Sequence, residues 1–324
     1  VTQYGEVTSH IIGGYGRALQ DLPHIVREPS VTFMVGGDVM FARGVHAEHQ
    51  FDPKSALING LGERFFWGVD VAMVNLEGVF STSTNQESVW YTIPPQLVFR
   101  DSYIDALRYA RINTVAHANN HSNDGTSADG RYTRDLLERS GINYIRGDAV
   151  VTKTDGDVKV AFIAGSELPP LIPAAEIVAA YSKRGYVTVV YLHFGNEYEP
   201  MTSELQYEQA KNVIDNGADL VIGSHPHVVQ PVAVYNNVPI VYSLGNLLFD
   251  QNSSTAVTEG LVLGGRVHHD SIEVFLLPVY TYLNPTLNAL LPVDTTPWHG
   301  YEHVLKPYTY QFPLTNQSEI VRVQ

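Results

Sequence analysis

Apolar positions in this chain fall into short runs that alternate between two spacings. Runs such as VTFMVGG, VKVAFIAG and YVTVVYLHFG are almost continuously apolar, which is typical of strands buried on both faces. The segments SADGRYTRDLLERSGINYI and TSELQYEQAKNVIDNGADLVIG show helical spacing followed by another apolar run. Gly141 and Gly217 stop these two helices, and Ser203 with Gln206 fits a capping box at the start of the second. Helices and strands therefore alternate over the first two thirds of the chain.

Strands without long helices between them dominate the last third. The combination predicts a layered α/β fold with a mixed sheet or two packed sheets. We expect one domain over residues 31–283. A lead-in over 1–30 with two short helix-like pieces precedes it, and a Pro-, Thr- and Tyr-rich tail over 284–324 packs on it in extended form.

Composition narrows the function classes for these 324 residues. The formal net charge of −14, with no basic block, argues against nucleic-acid binding, and an anionic substrate would need local positive charge such as a metal ion. No apolar run reaches the roughly 18 residues of a membrane span. The absence of cysteine excludes thiolate ligands. The chain starts at Val1 without a methionine, so we expect that a signal or anchor segment could precede it.

Polar residues follow the predicted strands again and again. They are Asp38, Asn75, Glu77, Asn119, Asn120, His121, His193, Glu197, His225, His227 and Asn246. The carboxyl ends of strands in open α/β sheets line one crevice, so these groups are expected to face one pocket. Carboxylates, imidazoles and amide oxygens without thiolates suit Zn, Mn or Fe in a hydrolytic site. Each residue alone has an ordinary interpretation as a turn residue, helix cap or core histidine, and their recurrence at strand ends favours the metal site.

The stretch GSHPHVVQ provides the most specific pair of candidates. Proline favours extended backbone at His225, and residues two apart in extended chain point the same way. Both His225 and His227 are therefore expected to project into one site as metal ligands. Most of the histidines without strand-end context are predicted to be surface or locally bonded; these histidines are His46, His49, His117, His268, His269, His299 and His303.

The segments GGDVMFARG, VNLEG, ANNHSNDG, LHFGNEYE, GADLVIGSHPHVVQP and YSLGNLLFDQ together resemble the CapA family, the bacterial poly-γ-glutamate capsule synthesis proteins. They occur in the family's order between about residues 31 and 280. That family is in turn similar to calcineurin-like metallophosphoesterases. The resemblance implies a four-layered α/β/β/α sandwich with mixed sheets and a site for one or two divalent ions.

The resemblance also implies individual roles. The implied metal ligands are Asp38 and His227 for the first ion, Glu77 as the bridging carboxylate, and Asn120, His193 and His225 for the second ion. His121 would protonate a leaving group or bind a phosphoryl oxygen. Metallophosphoesterases carry Asp-x-His where this chain has Met40, so we expect Glu197 or Arg43 to compensate for the lost imidazole. Arg43, Asn75 and Asn246 are the candidates for orienting substrate.

Three functions stay open at this stage. The leading one is a metal-dependent, phosphoesterase-like hydrolase or transferase, in which the metal lowers the pKa of bound water toward about 7. The resemblance implies a role in biosynthesis or export of poly-γ-glutamate or a related surface polymer at the cell envelope, outside the cytoplasm. The implied partners are the anionic polymer or a phosphorylated substrate and other capsule-synthesis membrane components. The alternatives are a non-catalytic, metal-containing envelope component that binds the polymer, and a metal-dependent hydrolase of γ-glutamyl or peptidoglycan amide bonds.

Overall fold

The computed structural model describes residues 28–82 and 96–280, with the backbone of four later strand segments. The strands are β1 (Val31–Val39), β2 (Val71–Leu76), β3 (Val79–Ser81), β4 (Val98–Arg100), β5 (Thr114–Ala116), β6 (Asn143–Ile145), β7 (Val151–Asp155), β8 (Val158–Ser166), β9 (Val187–His193), β10 (Leu220–Ser224), β11 (Val232–Tyr235), β12 (Val238–Val241), β13 (Asn246–Leu248), β14 (Glu259–Val267), β15 (Ser271–Tyr280), β16 (Leu283–Asn284), β17 (Leu287–Asn288), β18 (Thr309–Pro313) and β19 (Val321–Val323). The α-helices are α1 (Arg43–His49), α2 (Ser55–Leu61), α3 (Ile104–Tyr109), α4 (Ser127–Arg139), α5 (Ala175–Ser182), α6 (Glu204–Asp215) and α7 (Thr255–Thr258), and a 3-10 turn covers Asp101–Tyr103.

Two mixed sheets form the centre of the fold. The first has the order β19-β18-β15-β14-β1-β2-β5-β6, with β13 also paired to β1. The second has the order β11-β12-β10-β9-β8-β7. Neighbouring strands are parallel within β1-β2-β5-β6 of the first sheet and within β12-β10-β9-β8 of the second. Strand β14 is antiparallel to both β1 and β15, β7 is antiparallel to β8, and β11 is antiparallel to β12.

Three hydrophobic cores separate the layers. The central core lies between the two sheets, where the rings of Phe33 and Phe162 meet edge to face at 5.8 Å. A second core packs α1 to α4 on the outer face of the first sheet and includes Leu137. A third packs α5 and α6 on the outer face of the second sheet and includes Val213. Helices cover both outer faces because the parallel strands are apolar on both sides, so the predicted four-layered α/β/β/α sandwich with mixed sheets is confirmed.

The predicted helix boundaries are also found. Ser203 and Gln206 form both hydrogen bonds of the capping box of α6. Gly141 and Gly217, just beyond α4 and α6, have φ of +73° and +103°, the left-handed backbone that glycine adopts without steric cost.

Three strands lie in the described part of the predicted tail: β17 pairs with β16, β18 pairs with β15, and β19 pairs with β18. The predicted lead-in lies outside the described residues up to residue 27. None of the helices in the described part of the chain is long and apolar enough to cross a membrane.

Candidate metal centre

Strand ends of the first sheet bring the acidic candidates together. Asp38, near the end of β1, is in register with Asn75 on β2 and with Asn246 on β13. Glu77 follows β2 directly, and its N–H donates to the Val39 carbonyl. Asp38, Asn75 and Asn246 are completely buried and Glu77 is 1% exposed, so the two carboxylates are enclosed at the same edge of the sheet.

Strand ends of the second sheet bring the imidazoles to the same place. His193 ends β9 and is in register with Ser224 at the end of β10. His225 and His227 follow β10 with ring centroids 6.0 Å apart, so the two rings are close, as the sequence predicts. The prediction of extended backbone is wrong, because φ is +99° at His225 and +58° at His227. The chain turns sharply here, where the His225 N–H lies 3.3 Å from Asp38 Oδ2 of the other sheet.

Donor atoms converge in two overlapping groups. Within each group, one nitrogen or oxygen from every residue lies within 4.8 Å of the others: Glu77, His225 and His227 form one, and Asp38, Glu77 and His193 form the other. Glu77 is common to both, which is the arrangement that a bridging carboxylate requires.

Glu77 has no hydrogen-bond partner for its carboxylate. Neither carboxylate oxygen accepts a hydrogen bond, although the residue is buried. Burial, and then the charge of Asp38, raise the pKa of Glu77 to about 7. Among the described residues, the ion pairs that Asp38 and Glu77 form all involve histidine. A buried carboxylate without hydrogen bonds is unfavourable unless a cation compensates it.

The three imidazoles differ in charge. Burial, and then the charges of the neighbouring histidines, lower the pKa of His193 well below its usual value and that of His225 to about 4. Burial also acts to lower the pKa of His227, but Glu77 and Asp38 outweigh it and raise that pKa to about 9. Neutral imidazole is the form that binds a metal, so His193 and His225 need no deprotonation, whereas His227 would release a proton when an ion binds.

The donor set therefore fits a divalent cation. It combines two carboxylates with three imidazoles and leaves Glu77 and the Nδ1 of His225 without hydrogen-bond partners. Oxygen and imidazole donors of this kind suit Zn, Mn or Fe.

Buried amides orient the first-sheet residues from behind. Asn75 Nδ2 donates to Asp38 Oδ1 at 2.7 Å, and Asn75 Oδ1 accepts from Asn119 Nδ2 at 2.9 Å. The Asn119 Oδ1 accepts from the backbone N–H of His121 at 3.1 Å. Asn75 thus lies behind Asp38 and is completely buried, which favours an orienting role over its predicted contact with substrate.

Two further amides contact the histidines. Asn120 Oδ1 lies 2.8 Å from His193 Nε2. Asn246 Oδ1 lies 3.0 Å from His227 Nδ1, leaving Nε2 of that ring toward Glu77 Oε1 at 3.7 Å. A carbonyl on one ring nitrogen commonly fixes the tautomer of a metal-binding histidine.

His121 is at the edge of the group. Its Nε2 lies 4.0 Å from Glu77 Oε1, and its Nδ1 lies 2.7 Å from Asp124 Oδ2. Burial acts to lower the pKa of His121, but the hydrogen bond to Asp124 and the charge of Glu77 outweigh it and raise the pKa. Asp124 was not among the residues predicted from the sequence, although its position three residues after His121 on a turn was a usable signal.

Arg43 and Glu197, the two residues expected to compensate for the imidazole that Met40 replaces, have different surroundings. The Met40 side chain is buried in the core beneath α1 to α4, and its sulfur accepts from the Ala42 N–H at 2.8 Å. Arg43 already forms a two-point ion pair with Asp250, so its charge is neutralised locally. Glu197 is exposed, and its charge acts on Glu77, His225 and His227.

Strained backbone concentrates at the site. Arg43, Tyr198, His225 and His227 are all non-glycine residues with positive φ. Bulky residues rarely adopt this conformation, and it persists where surrounding contacts hold it, often at functional sites. Tyr198 and its neighbour Gln251 were not predicted from the sequence, because nothing local marks them.

Known proteins similar to this chain are linked by name to capsule polymers. The PGA biosynthesis protein CapA of Bacillus subtilis is 27% identical over 250 residues, covering 70% of this chain and 65% of that protein. The capsule biosynthesis protein CapA of Bacillus anthracis is 28% identical over 190 residues, covering 50% and 46%. A probable polyglutamine synthesis accessory protein of Mycobacterium tuberculosis is 25% identical, covering 82% and 84%. This chain thus spans less than two thirds of the length of the two Bacillus relatives.

Two solved structures resemble the fold only distantly. TT1561 of Thermus thermophilus superposes with a TM-score of 0.42 at 10% identity, covering 75% of this chain and 99% of that one. Vps29 of Chaetomium thermophilum gives a TM-score of 0.27 at 12% identity, covering 78% and 90%. The fold assignment therefore depends on the sheet order and the three cores.

The family model described as bacterial capsule synthesis protein PGA_cap matches residues 32–251. That range contains the acidic candidates, the histidine candidates and the strands that carry them, and it confirms the resemblance predicted from the motifs. This chain belongs to the PGA_cap family of bacterial capsule synthesis proteins.

Proposed function

We propose that this protein is a metal-dependent, phosphoesterase-like hydrolase or transferase that acts in the synthesis or export of poly-γ-glutamate or a related surface polymer. The observation that carries the proposal is the Glu77 carboxylate, which is buried, belongs to both groups of donors and has no hydrogen-bond partner. The names of the relatives supply the polymer. The proposed location is accordingly the cell envelope, outside the cytoplasm.

The residues that would hold one or two divalent ions are Asp38, Glu77, Asn120, His193, His225 and His227. Bound there, a divalent ion supplies positive charge and Lewis acidity toward water and an oxygen of the substrate. The chain's own contribution is to orient these donors. Asn75 holds Asp38, and Asn246 holds Nδ1 of His227 so that Nε2 faces inward.

His121 is the proposed general acid. Asp124 accepts the Nδ1 proton, so a second proton is carried on Nε2, on the side of Glu77. The raised pKa of His121 favours this protonated form near neutral pH. The proton on Nε2 would go to the leaving-group oxygen as its bond to the reacting centre breaks. Glu197 is proposed to compensate, from the exposed side of the site, for the imidazole that Met40 replaces. Arg43 and Asn246 remain predicted substrate contacts, although both already have internal partners.

A second candidate is a non-catalytic envelope component that binds the anionic polymer through its ion. Met40 favours it, because a core methionine occupies the position where the phosphoesterases carry an imidazole. Turnover distinguishes the two candidates, since a non-catalytic protein would bind polyglutamate and release no product.

The test is hydrolysis by protein loaded separately with Zn²⁺, Mn²⁺ or Fe²⁺. The substrates are a generic phosphomonoester, a generic phosphodiester and a γ-glutamyl amide, which also covers amide hydrolysis. We expect cation-dependent phosphoester hydrolysis that is lost in His225→Ala and Asn120→Ala but kept in Glu138→Gln, a change at an exposed position of α4. Equal activity in His225→Ala, or no phosphoester hydrolysis by any loaded wild type, would contradict a phosphoesterase.

A further inference from the structure

A chain of side-chain hydrogen bonds runs outward from His227. Its Nδ1 lies 3.0 Å from Asn246 Oδ1, and Asn246 Nδ2 donates to Gln251 Oε1 at 3.0 Å. Gln251 Nε2 then donates to the hydroxyl of Tyr198 at 2.9 Å. The chain leads from an imidazole that is almost completely buried to a tyrosine that is 50% exposed.

Tyr198 also contacts the turn that carries the two histidines. Its backbone N–H donates to the carbonyl of Pro226 at 2.8 Å, and its ring centroid lies 6.1 Å from that of His227. Its φ of +65° is unfavourable for a bulky side chain. The strained backbone and the hydrogen bonds on both sides indicate that the position of this phenol is held by the structure around it.

The loop that carries Tyr198 is anchored from behind. Gln230 Nε2 donates to the Glu199 carbonyl at 2.8 Å, and Gln230 Oε1 accepts from Gln206 Nε2 at 2.8 Å. Both glutamines are buried, and Gln206 belongs to the capping box of α6. Residue 195 in this loop favours glycine, because φ is +100° and a Cβ there would lie 2.5 Å from Nε2 of the buried Gln206. The loop is thus fixed to the second sheet and to α6.

Glu197, next to Tyr198, completes the arrangement. Burial, and then the charge of Glu197 and a hydrogen bond with its carboxylate, raise the pKa of Tyr198 to about 12, so the hydroxyl keeps its proton. The charge of Glu197 also acts on Glu77, His225 and His227. A protonated phenol thus lies at the outer end of the chain, next in sequence to a carboxylate whose charge acts on the site.

We propose that Tyr198 is a positioning residue for the cation site, whose hydroxyl anchors the Gln251–Asn246–His227 chain at its outer end. This inference rests on the proposed function, because it assumes that the site binds a divalent cation. The same hydroxyl fixes the Gln251 amide, and through Asn246 it fixes the orientation of His227.

The test compares Tyr198→Phe, Gln251→Leu and the double variant in calorimetric titrations with Mn²⁺ and with Zn²⁺. Tyr198→Phe removes the hydroxyl and keeps the ring. We expect it to weaken cation binding by about 10-fold or more, as losses of groups that orient metal ligands do. The double variant should be no weaker than the weaker single variant, because both changes break one chain. Tyr109→Phe is the matched control, at a tyrosine of similar exposure (46%) at the end of α3, and should bind as the wild type does.

A second readout needs no cation. In metal-free protein, the ¹⁵N NMR shifts of the His227 ring should change in Tyr198→Phe and stay unchanged in Tyr109→Phe. Wild-type cation affinity in Tyr198→Phe, with binding abolished in His225→Ala, would overturn this inference and leave the cation site intact. A wild-type protein that binds neither ion would overturn the proposed function, and the inference with it.

Discussion

Glu77→Gln should change the stability of this protein in opposite directions with and without a cation. The substitution keeps the size of the side chain and removes its charge. In metal-free protein the carboxylate is buried without a hydrogen bond beside Asp38. In the proposed cation-bound state, the same carboxylate would be the donor common to both groups of ligands. The charge would therefore be unfavourable in one state and required in the other.

The magnitude in metal-free protein follows from the pKa of Glu77, which burial and Asp38 raise from 4.5 to about 7. A carboxyl with a raised pKa in the folded state loses stability as pH rises between these two values, since the unfolded chain ionises first. At pH 8 the loss is roughly 3 kcal/mol, from about 1.4 kcal/mol per pKa unit. The Gln amide in the variant would also be buried without hydrogen-bond partners, which offsets about 1 kcal/mol of the stability gained by removing the charge. At pH 8 without metal, we expect the free energy of unfolding of Glu77→Gln to exceed that of the wild type by about 1–3 kcal/mol, which raises Tm by about 2–10 °C.

With cation at 100 times its Kd, the wild type gains about 2.7 kcal/mol from binding, and the variant gains little. The assay is thermal unfolding at pH 8 in EDTA and with Mn²⁺ or Zn²⁺, and again near pH 4.5 in EDTA, where Glu77→Gln should no longer be the more stable protein. Glu138→Gln, the same change at an exposed position of α4, should match the wild type throughout. A Glu77→Gln protein that melts below the wild type in EDTA at pH 8 would refute the reasoning, because the carboxylate would then stabilise the fold without an ion.

Three further predictions concern the scaffold of the site. His117 is buried, and burial lowers its pKa to about 4 even though it hydrogen bonds the Gly78 carbonyl at 2.7 Å. The wild type should therefore lose up to roughly 3 kcal/mol of stability relative to His117→Gln as pH falls from about 6.5 toward 4. Urea unfolding at several pH values measures this difference. Gly223→Ala would place a Cβ 2.0 Å from the Tyr242 carbonyl oxygen and should abolish soluble expression. The control is Gly130→Ala in α4, where a Cβ meets no atom within 4 Å. It should raise Tm slightly, because alanine has a helix propensity better than that of glycine by roughly 1 kcal/mol. Asp250→Ala leaves the partly buried Arg43 unpaired and should cost about 2 kcal/mol, while Asp105→Ala at the exposed pair with Arg108 should cost less than about 1 kcal/mol; similar Tm losses in both variants would contradict this ranking.

Local patterns in the sequence predicted much of this protein. The apolar runs became buried strands. The capping box of α6 and the glycines that end α4 and α6 lie where expected. These features depend on interactions between residues a few positions apart, so a single sequence contains them. The acidic and histidine candidates were found in the same way, since a polar side chain after a buried strand is visible without coordinates. Their close approach at one edge agrees with the rule that parallel strands end together.

Only the tertiary structure decided what each candidate has as a neighbour. Arg43 is paired with Asp250, 207 residues away, and Asn75 lies behind Asp38 instead of facing solvent. The turn at His225 is left-handed because a contact with the other sheet outweighs the local preference for extended backbone before proline. The contacts of Tyr198 with Gln251 and His227 likewise join segments that are distant in sequence. Charge pairing, burial and pKa depend on which groups share a small volume, and that is set by the packing of two sheets rather than by any one segment.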